Sequence, residues 1–545
     1  MHKTKIKVLG LAIILVLTTI VLIGCNRGGG RTTGAQVTRD PSEVVNPLNQ
    51  ETTMPIRVLL LRGHTQSGSR QQQWLEERYN VNFELIVLPG AADANARTSL
   101  MMADDRERPD IVWWNDSMAP DFTRWRNAGL MVELTSWIDK YTVMRDYLNS
   151  QDPRSLFFAQ DDGRIYRIPG DISEPGCETI WLRQDWLDTL GLAIPRTLAE
   201  LENVLYAFTH NDPDRNGQND TYGWGAAGDD LRYFWPWIQG SGGGYGNHYY
   251  TFSRLADGSF VYSAAHPDTR IWVERVADLY RRGLMTPNSV VNGVNFTEEM
   301  NRGYFGGWHR WVATNNPTSQ TTYLSLNPEA VLVPVDMVAG DNGRPQENPG
   351  FLAAWCFFGI TRNASDPERL FALWDDMQSP GYDGPYVMKR HGVQGLDWDW
   401  HPDGTFNRII SATENTEMNF GVNIFADMFN RKDRWNISNT PETVALFENR
   451  GINSREAYAR GVERKDVVSY PVWNRHGADL TDIRDGWIWS VIAGNESINT
   501  WDAYITRLNN AGMAEVIEEL TERMAIQDRD MREFLSARGF LHLIQ

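Results

Sequence analysis

Short apolar runs alternate with helical patterns near the start of the folded part of the chain. Residues 56–61, 81–88 and 110–114 have the composition of buried strands, and helical patterns follow at 69–79 and 122–127. This β-α-β-α-β order predicts a parallel, doubly wound sheet. In such sheets ligands meet the loops beyond the carboxyl ends of the strands. The sequence therefore predicts an α/β fold with its site at one edge of the sheet.

The length of the chain predicts more than one hydrophobic core. The protein has 545 residues, whereas single cores stop growing near roughly 250 to 300 residues. Two lobes, or two domains with insertions, are therefore expected.

An apolar run follows three lysines at the N-terminus. Residues 8–24 carry no charge and lead into Cys25 through Leu22, Ile23 and Gly24. The run is shorter than the roughly 20 residues that a membrane-spanning helix needs, and its ending is typical of a bacterial lipoprotein signal peptide. We predict removal of residues 1–24, diacylation of the Cys25 thiol, and a lipid anchor at the extracytoplasmic face of the cell membrane.

Residues 25–53 lack apolar periodicity and contain Gly28-Gly29-Gly30, which predicts a flexible tether. Besides Cys25 the chain has two cysteines, Cys177 and Cys356. A single disulfide between them and two free thiols both stay open.

The charge of the chain restricts its partners. The formal net charge is −18, which argues against binding nucleic acid or other polyanions and suits a neutral or cationic small ligand. The sequence contains neither the phosphate-binding GxxxxGK[ST] motif nor HExxH or GxSxG. We therefore expect no catalytic activity and no organic cofactor.

Residues 212–220 resemble the first three quarters of an EF-hand calcium loop. Oxygen-bearing residues fall at loop positions 1, 3, 5, 7 and 9, and Gly217 at position 6 permits the sharp turn. The predicted ligands are Asp212, Asp214, Asn216, the backbone carbonyl of Gln218, and Asp220. Position 12 is Gly223 instead of glutamate, so another carboxylate must complete the shell. A structural calcium ion and a solvated turn rich in Asp and Asn are the two alternatives.

Several motifs together resemble the family-1 extracellular solute-binding lipoproteins of ABC importers, particularly the subgroup associated with oligosaccharide uptake. The segments that carry the resemblance are WLRQDWLDTLGL at 181–192, DPDRNGQNDTYG at 212–223, GLMTP at 283–287, GVQG at 392–395, and 501–512. They extend over nearly the whole mature chain.

The resemblance implies a two-lobed periplasmic-binding-protein fold, type II-like, with strands crossing between the lobes and helices at the C-terminus. Ligand would be trapped in the cleft by hinge closure, and the closed form would dock on a membrane permease. On this chain, lobe one would comprise 54–173 and 350–395. Lobe two would comprise 174–349, and 396–545 would add its C-terminal helices.

Tryptophan is abundant, with 22 residues, and several stand near predicted loops. A sugar ring fits a flat aromatic platform edged by polar groups, which favours an oligosaccharide ligand. For any one tryptophan, however, packing in the core is the commoner role. The predicted substrate-binding set is Trp113, Asn115, Asp116, Trp181, Arg183, Trp308 and Trp355. Arg183 could equally form a structural ion pair with Asp185.

Other functions stay open from the sequence. A surface glycoside hydrolase would need two carboxylates about 5 to 10 Å apart, and 70 acidic residues cannot exclude such a pair. A receptor that presents its ligand to a sensor kinase would use the same closed form. A peptide or other cationic ligand would suit the acidic charge.

Overall fold

The computed structural model describes most of the chain that follows the predicted tether. The described residues are 40, 43–48, 50–60, 68–87, 91–114, 119–151, 160–161, 164–172, 178–228, 230–243, 252–255, 257–311, 321–345, 354–379, 384–402, 406–410, 463–465 and 471–540. Residues 1–24, with the predicted acylation at Cys25, lie outside them, as does Cys177.

The strands, in chain order, are β1 (Met54–Leu60), β2 (Val81–Val87), β3 (Ile111–Trp114), β4 (Gln160–Asp161), β5 (Arg164–Ile165), β6 (Ile168–Ile172), β7 (Glu178–Arg183), β8 (Tyr222–Trp224), β9 (Phe252–Arg254), β10 (Phe260–Tyr262), β11 (Phe305–Trp311), β12 (Leu332–Val335), β13 (Ala354–Ile360), β14 (Trp398–Trp400), β15 (Phe406–Arg408) and β16 (Glu463–Lys465).

The α-helices are α1 (Arg70–Tyr79), α2 (Ala91–Ala103), α3 (Ala119–Asn127), α4 (Thr135–Lys140), α5 (Thr142–Gln151), α6 (Gln184–Leu190), α7 (Leu198–His210), α8 (Trp235–Gly240), α9 (Pro267–Arg281), α10 (Phe296–Asn301), α11 (Thr321–Leu326), α12 (Pro367–Asp376), α13 (Pro385–His391), α14 (Pro471–Ile492), α15 (Trp501–Asn510) and α16 (Met513–Ala537). Short 3-10 helices lie at Leu231–Phe234, Ser263–Ala265, Pro287–Val290 and Ile498–Thr500.

Two larger sheets organise the molecule. The first has the strand order β2-β1-β3-β13-β6, and β1 runs parallel to both β2 and β3. The predicted β-α-β-α-β order is therefore confirmed. Strands β13 and β6 add an antiparallel part, because β13 runs opposite to both β3 and β6. The second sheet has the order β12-β7-β11-β8.

Helix α1, which connects β1 and β2, shows how the local sequence sets the two ends of a helix. Ser69 caps the start of α1, since its side chain accepts a hydrogen bond from the backbone N–H of Gln72 at 3.2 Å. Asn80 ends the helix in a left-handed conformation at φ 48°. Between these caps, Leu75 and Tyr79 are buried against the first sheet's core.

Each large sheet has its own hydrophobic core. The first core includes Ile56, Val58, Ile111 and Phe358, and the second includes Ile180, Leu205 and Trp224. Eight tryptophans are among the most deeply buried side chains: Trp186, Trp224, Trp237, Trp272, Trp308, Trp374, Trp398 and Trp487. Much of the tryptophan content therefore serves packing.

The C-terminal helices contact both cores. The predicted C-terminal helices include α15 and α16, which are separated at Gly512, where φ is 93°. Val516 and Leu520 of α16 are buried in the second core, whereas Phe534 near its end packs against the first. Just past the helix, Arg538 forms an ion pair with Asp139 of α4 at 3.3 Å.

A buried carboxyl group caps a helix of the first core. Asp375, near the end of α12, is 7% exposed, and its Oδ1 accepts the backbone N–H of Met144 at 2.6 Å. Met144 belongs to the first turn of α5, where backbone N–H groups lack partners within the helix. Burial outweighs the hydrogen bonds from Val143 and Met144 and raises the pKa of Asp375 to about 6.

Asp375→Asn is expected to remove a pH-dependent part of the stability. Because the folded pKa of about 6 lies above the ordinary value of 3.8, stability present below pH 4 is lost as the pH rises through 6. At 1.36 kcal/mol per unit, the loss is about 3 kcal/mol. Asparagine keeps an acceptor oxygen and cannot ionise, so the variant should show a flatter profile in urea unfolding between pH 4 and 7.

Asp482→Asn provides the control, because Asp482 is an exposed acidic residue of α14. Its profile should follow the wild type. Parallel profiles for Asp375→Asn and the wild type would contradict the prediction.

Candidate functional site

The register of the first sheet defines the edge at which a ligand would meet it. The carboxyl ends of β1, β2 and β3 share one edge because these strands are parallel. Trp114 at the end of β3 pairs with Phe357, and Ile172 at the end of β6 pairs with Ala354 at the start of β13. The chain therefore leaves the first sheet at the edge where the three parallel strands end.

The second sheet begins six residues later. Glu178, the first residue of β7, pairs with Trp311, the last of β11. Six residue steps span at most about 22 Å from Ile172, so the edge of the second sheet that contains Glu178 lies within that distance of the edge of the first sheet that contains Ile172. Val335 at the end of β12 pairs with Ile180 and lies near the same edge. These neighbouring edges form the candidate ligand site.

Some predicted substrate residues lie at the edge of the first sheet. Trp113 is in β3, where it pairs with Phe358, and Trp355 is the second residue of β13. Asn115 and Asp116 follow Trp114 directly but lie outside the described residues. Their role in binding stays a prediction.

Trp181 and Trp308 are paired residues of β7 and β11 and belong to the second core. Trp308 is fully buried, with its ring 5.8 Å from Tyr323 and 5.7 Å from Phe305, and Trp181 is 4% exposed. In this conformation neither indole presents a free face to a ligand. Packing explains both positions, and a binding role for them stays a prediction.

Arg183 lies at the opposite end of β7 from Glu178. Its Nε donates to Asp185 Oδ1 at 2.8 Å, a second guanidinium nitrogen donates to Oδ2, and its NH1 donates to the hydroxyl of Tyr323 at 3.3 Å. Burial disfavours the charged guanidinium, but the hydrogen bonds and electrostatic interactions with Asp185 and Tyr323 together outweigh burial and raise the pKa of Arg183. This geometry favours the ion-pair alternative, because the guanidinium group of Arg183 already binds Asp185 at the end of β7 that is remote from Glu178.

The structure also brings together two aromatic rings that were not in the predicted set. His309 of β11 is 2% exposed and stacks on Trp235 with ring centroids 6.4 Å apart. Alternation along β11 places His309 on the face opposite to Trp308. That alternation was readable from the sequence, whereas the approach of Trp235 from α8 was not.

The EF-hand-like loop lies at the far end of the second sheet. Its turn is confirmed, since Gly217 has φ 75°. The side-chain amide of Asn216 donates to Asp214 at 3.0 Å and to Asp220 at 3.1 Å, and its backbone N–H donates to Asp212 at 3.0 Å. Asn216 is thus hydrogen-bonded to three carboxylates, two through its side chain and one through its backbone, in a region that would attract a cation.

The carboxylates of the loop lie close enough to affect one another's protonation. Burial and the neighbouring carboxylates of Asp212 and Asp220 raise the pKa of Asp214. Carboxylate, amide and carbonyl oxygens are ligands that calcium prefers, so these residues fit the ion chemically. Within the described part of the chain, no group of three or more His, Cys, Asp or Glu side chains is arranged to hold a metal.

A cavity of about 390 Å³ adjoins the loop. Its wall includes Arg183, Trp186, Asp214, Asp220, Tyr304 and Glu329. The cavity lies beside the end of β7 that is remote from Glu178, so it is separate from the neighbouring edges of the sheets.

Known substrate-binding proteins have the same architecture. FusA of Streptococcus pneumoniae, an ABC-transporter substrate-binding protein solved in complex with kestose, matches with a TM-score of 0.62 at 17% identity, over 89% of this chain and 100% of that one. The chain has the fold of the ABC-transporter substrate-binding proteins. The two-lobed fold predicted from the resemblance is thereby confirmed.

Comparison of sequences also finds similarity to a binding protein and to a lipoprotein. The polygalacturonan/rhamnogalacturonan-binding protein YtcQ of Bacillus subtilis is 22% identical over 470 residues, which cover 82% of this chain and 86% of that protein. Lipoprotein LipO of the same organism is 34% identical over 131 residues, 24% of each chain. A further FusA structure, described as an EF-hand mutant, has a TM-score of 0.61 at 17% identity, over 89% of this chain and 100% of that one.

No protein-family model matches the chain. A search of the described helices for a stretch that is long and apolar enough to cross a membrane finds none.

Arg183→Met is expected to lower stability and leave ligand affinity nearly unchanged. Removing one partner of a buried ion pair leaves the other charge uncompensated, which costs about 3 kcal/mol. Asp185 keeps a hydrogen bond from the backbone N–H of Val331 at 3.1 Å. Urea unfolding and sugar titration of the same preparation measure both effects.

Arg196→Met is the matched control, because Arg196 is exposed on the same half of the protein. A large loss of affinity in Arg183→Met without a loss of stability would instead identify Arg183 as a ligand contact.

Proposed function

We propose that this protein is the substrate-binding component of an ABC importer and captures an oligosaccharide outside the cell membrane. The observation that carries the proposal is the short connection between the two sheets, which joins the end of β6 at Ile172 to the start of β7 at Glu178. The fold shared with FusA supports it. The acylated thiol of Cys25 would hold the protein at the extracytoplasmic face, where a membrane permease receives the ligand.

Ligand capture would proceed by closure of two lobes. Lobe one comprises residues 54–173 and 350–395, and lobe two comprises 174–349 and 396–545. The two separate hydrophobic cores support this division. Each core would move as a rigid body, while the crossing segments absorb the change in backbone angles.

The ligand is proposed to be an oligosaccharide because the candidate site combines aromatic and polar residues. Trp113, Asn115, Asp116 and Trp355 follow or form the edge of the first sheet. The names of YtcQ and of the FusA complex refer to sugar polymers and to kestose, which supports the same ligand class.

Binding without breakdown is proposed instead of catalysis. The relatives are named as binding proteins, whereas a hydrolase would need a carboxylate pair at the ligand. Presentation of the ligand to a sensor kinase would use the same closed form, and a permease encoded beside this chain would favour transport.

We further propose a structural calcium ion in the loop formed by Asp212, Asp214, Asn216, Gln218 and Asp220. The donor set and the hydrogen bonds of Asn216 to three carboxylates support it. When bound, the ion would neutralise the carboxylates and fix the turn. The description of a FusA variant as an EF-hand mutant supports a site of this type in the fold.

An oligosaccharide ligand is expected to raise the melting temperature and to be recovered intact. Binding to the folded state alone stabilises it by about 2.7 kcal/mol at a ligand concentration of 100 Kd. The measurement is a thermal-shift screen of oligosaccharides and peptides, with chromatography of each hit after incubation. Cleavage of the sugar would overturn the transport proposal in favour of a hydrolase, and stabilisation by peptides alone would overturn the ligand class.

Trp113→Ala should weaken binding of the identified sugar about tenfold, or 1.4 kcal/mol. Trp137→Ala is the control, because Trp137 packs on Phe371 at 5.6 Å in the first core. The control should lose stability and keep its affinity.

Calcium is expected to raise the melting temperature of chelator-treated protein. Asp214→Asn should abolish this shift, because it removes a carboxylate from the loop. Asp257→Asn, a change in an exposed turn of the same half of the chain, should retain the shift. A wild-type protein without any calcium shift would favour the solvated turn.

A further inference from the structure

In the part of the chain that the structure describes, three glutamine side chains are fully buried without hydrogen-bond partners for their amide groups. Gln71, Gln239 and Gln378 are each 0% exposed, and neither the Nε2 nor the Oε1 atom of any of them is hydrogen-bonded. Burying an amide without a partner destabilises a fold. Such groups are rare in native proteins, so the position of each one calls for an explanation.

Gln71 lies at the edge of the first sheet where the parallel strands end. It is the second residue of α1, which leads from the end of β1 to the start of β2. Because β1 and β2 are parallel and in register from Met54 and Val81 onward, α1 ends near the starts of both strands and begins near their carboxyl ends. Gln71 precedes Leu75 by one helical turn, so its side chain lies on the face of α1 that packs in the first core.

The neighbouring Gln72 shows that local partners are available to a glutamine at this end of α1. Its Oε1 accepts the backbone N–H of Gly68 at 2.7 Å, and its Nε2 donates to Glu76 at 2.9 Å. The unbonded amide of Gln71 therefore reflects the face of α1 on which it lies.

Gln239 lies at the edge of the second sheet that contains Glu178. It follows Trp235 by one turn of α8, and Trp235 stacks on His309. His309 is two residues before the end of β11, whose last residue pairs with Glu178. Strands β8 and β12 run in the same direction as β11, so the carboxyl ends of all three strands point to this edge. In α/β sheets ligands bind at such edges.

The two amides have the hydrogen-bonding chemistry that a sugar requires. An amide offers two N–H donors and an acceptor oxygen, and a sugar hydroxyl both donates and accepts. One amide can therefore accept a hydrogen bond from one hydroxyl and donate to the next hydroxyl of the same ring. Away from bulk water such hydrogen bonds are stronger, and a small number of them fixes the orientation of a bound ligand.

We propose that Gln71 and Gln239 bind hydroxyl groups of the oligosaccharide, one from the edge of each large sheet. The inference rests on the proposed function as an oligosaccharide-binding protein. Both amides are covered in the conformation described, so opening of the lobes must uncover them before the ligand enters. The closed form would then give each amide the partners that it lacks within the fold.

The test measures sugar affinity and stability of the full-length protein in detergent. Kestose, trigalacturonic acid, chitotriose and maltotriose are titrated by isothermal calorimetry, and the sugar that binds most tightly is the probe. Gln71→Met and Gln239→Met replace the amide by an apolar side chain of similar length. Each should raise the Kd of the probe about tenfold, because the ligand loses its hydrogen bonds to the amide. Each should leave the melting temperature of the free protein unchanged or higher, because a buried polar group without a partner is removed.

Gln378→Met is the matched control, since it removes an amide that is equally buried and equally unbonded. Gln378 lies two residues beyond Asp376, whose carboxylate accepts the hydroxyl of Tyr79 at the opposite end of α1 from Gln71. The control should therefore keep the wild-type Kd. Gln71→Leu and Gln239→Leu, which also remove the amide, take the place of a methionine variant that does not fold.

A raised Kd in both test variants, with unchanged or higher melting temperatures and an unchanged control, supports the proposal. A wild-type Kd in either test variant, or a raised Kd in the control as well, overturns it and leaves the oligosaccharide function intact. A fall in the melting temperature of the free protein assigns the amide a structural role and also overturns it. A wild-type protein that binds none of the four sugars overturns the inference together with the oligosaccharide proposal on which it rests.

Discussion

The passage of the chain from one sheet to the other constrains the rest of the structure. Ile172 ends β6, and Glu178 starts β7 within about 22 Å. Since β6 pairs with β13 and β7 pairs with β11, this short connection keeps one edge of the first sheet close to one edge of the second. Two cores of ordinary size then form on either side. The site follows from connectivity, before any particular side chain is considered.

Several electrostatic contacts of lobe two lie at the end of its sheet that is remote from this connection. The Arg183–Asp185 pair joins the end of β7 to the start of α6, and Asp185 also accepts the backbone N–H of Val331. The 212–220 loop and its cavity lie nearby. These contacts therefore hold β7, α6 and the segment before β12 together at this end of the lobe.

The sequence was most informative where one element follows another closely. The strands and helices between residues 54 and 127 were predictable because periods of 2 and 3.6 are local properties. The antiparallel pairing of β13 with β3 was not, because these strands lie more than 200 residues apart and either direction satisfies the same apolar run. Similarly, a tryptophan such as Trp181 or Trp308 suits both a sugar-binding platform and a hydrophobic core. Only the three-dimensional environment distinguishes the two. The positions of Asn115 and Asp116 are still known from sequence alone.

Helix α16 limits how the two lobes can move. Its first turns are anchored in one core, Phe534 rests on the other, and Arg538 just beyond the helix is paired with Asp139. A straight separation of the lobes would pull Phe534 out of its contact and expose apolar surface. Rotation about an axis near the end of the helix would preserve both contacts. In the proposed closure the helix would act as the pivot, and its contacts with the two cores would set the angle through which the cleft opens.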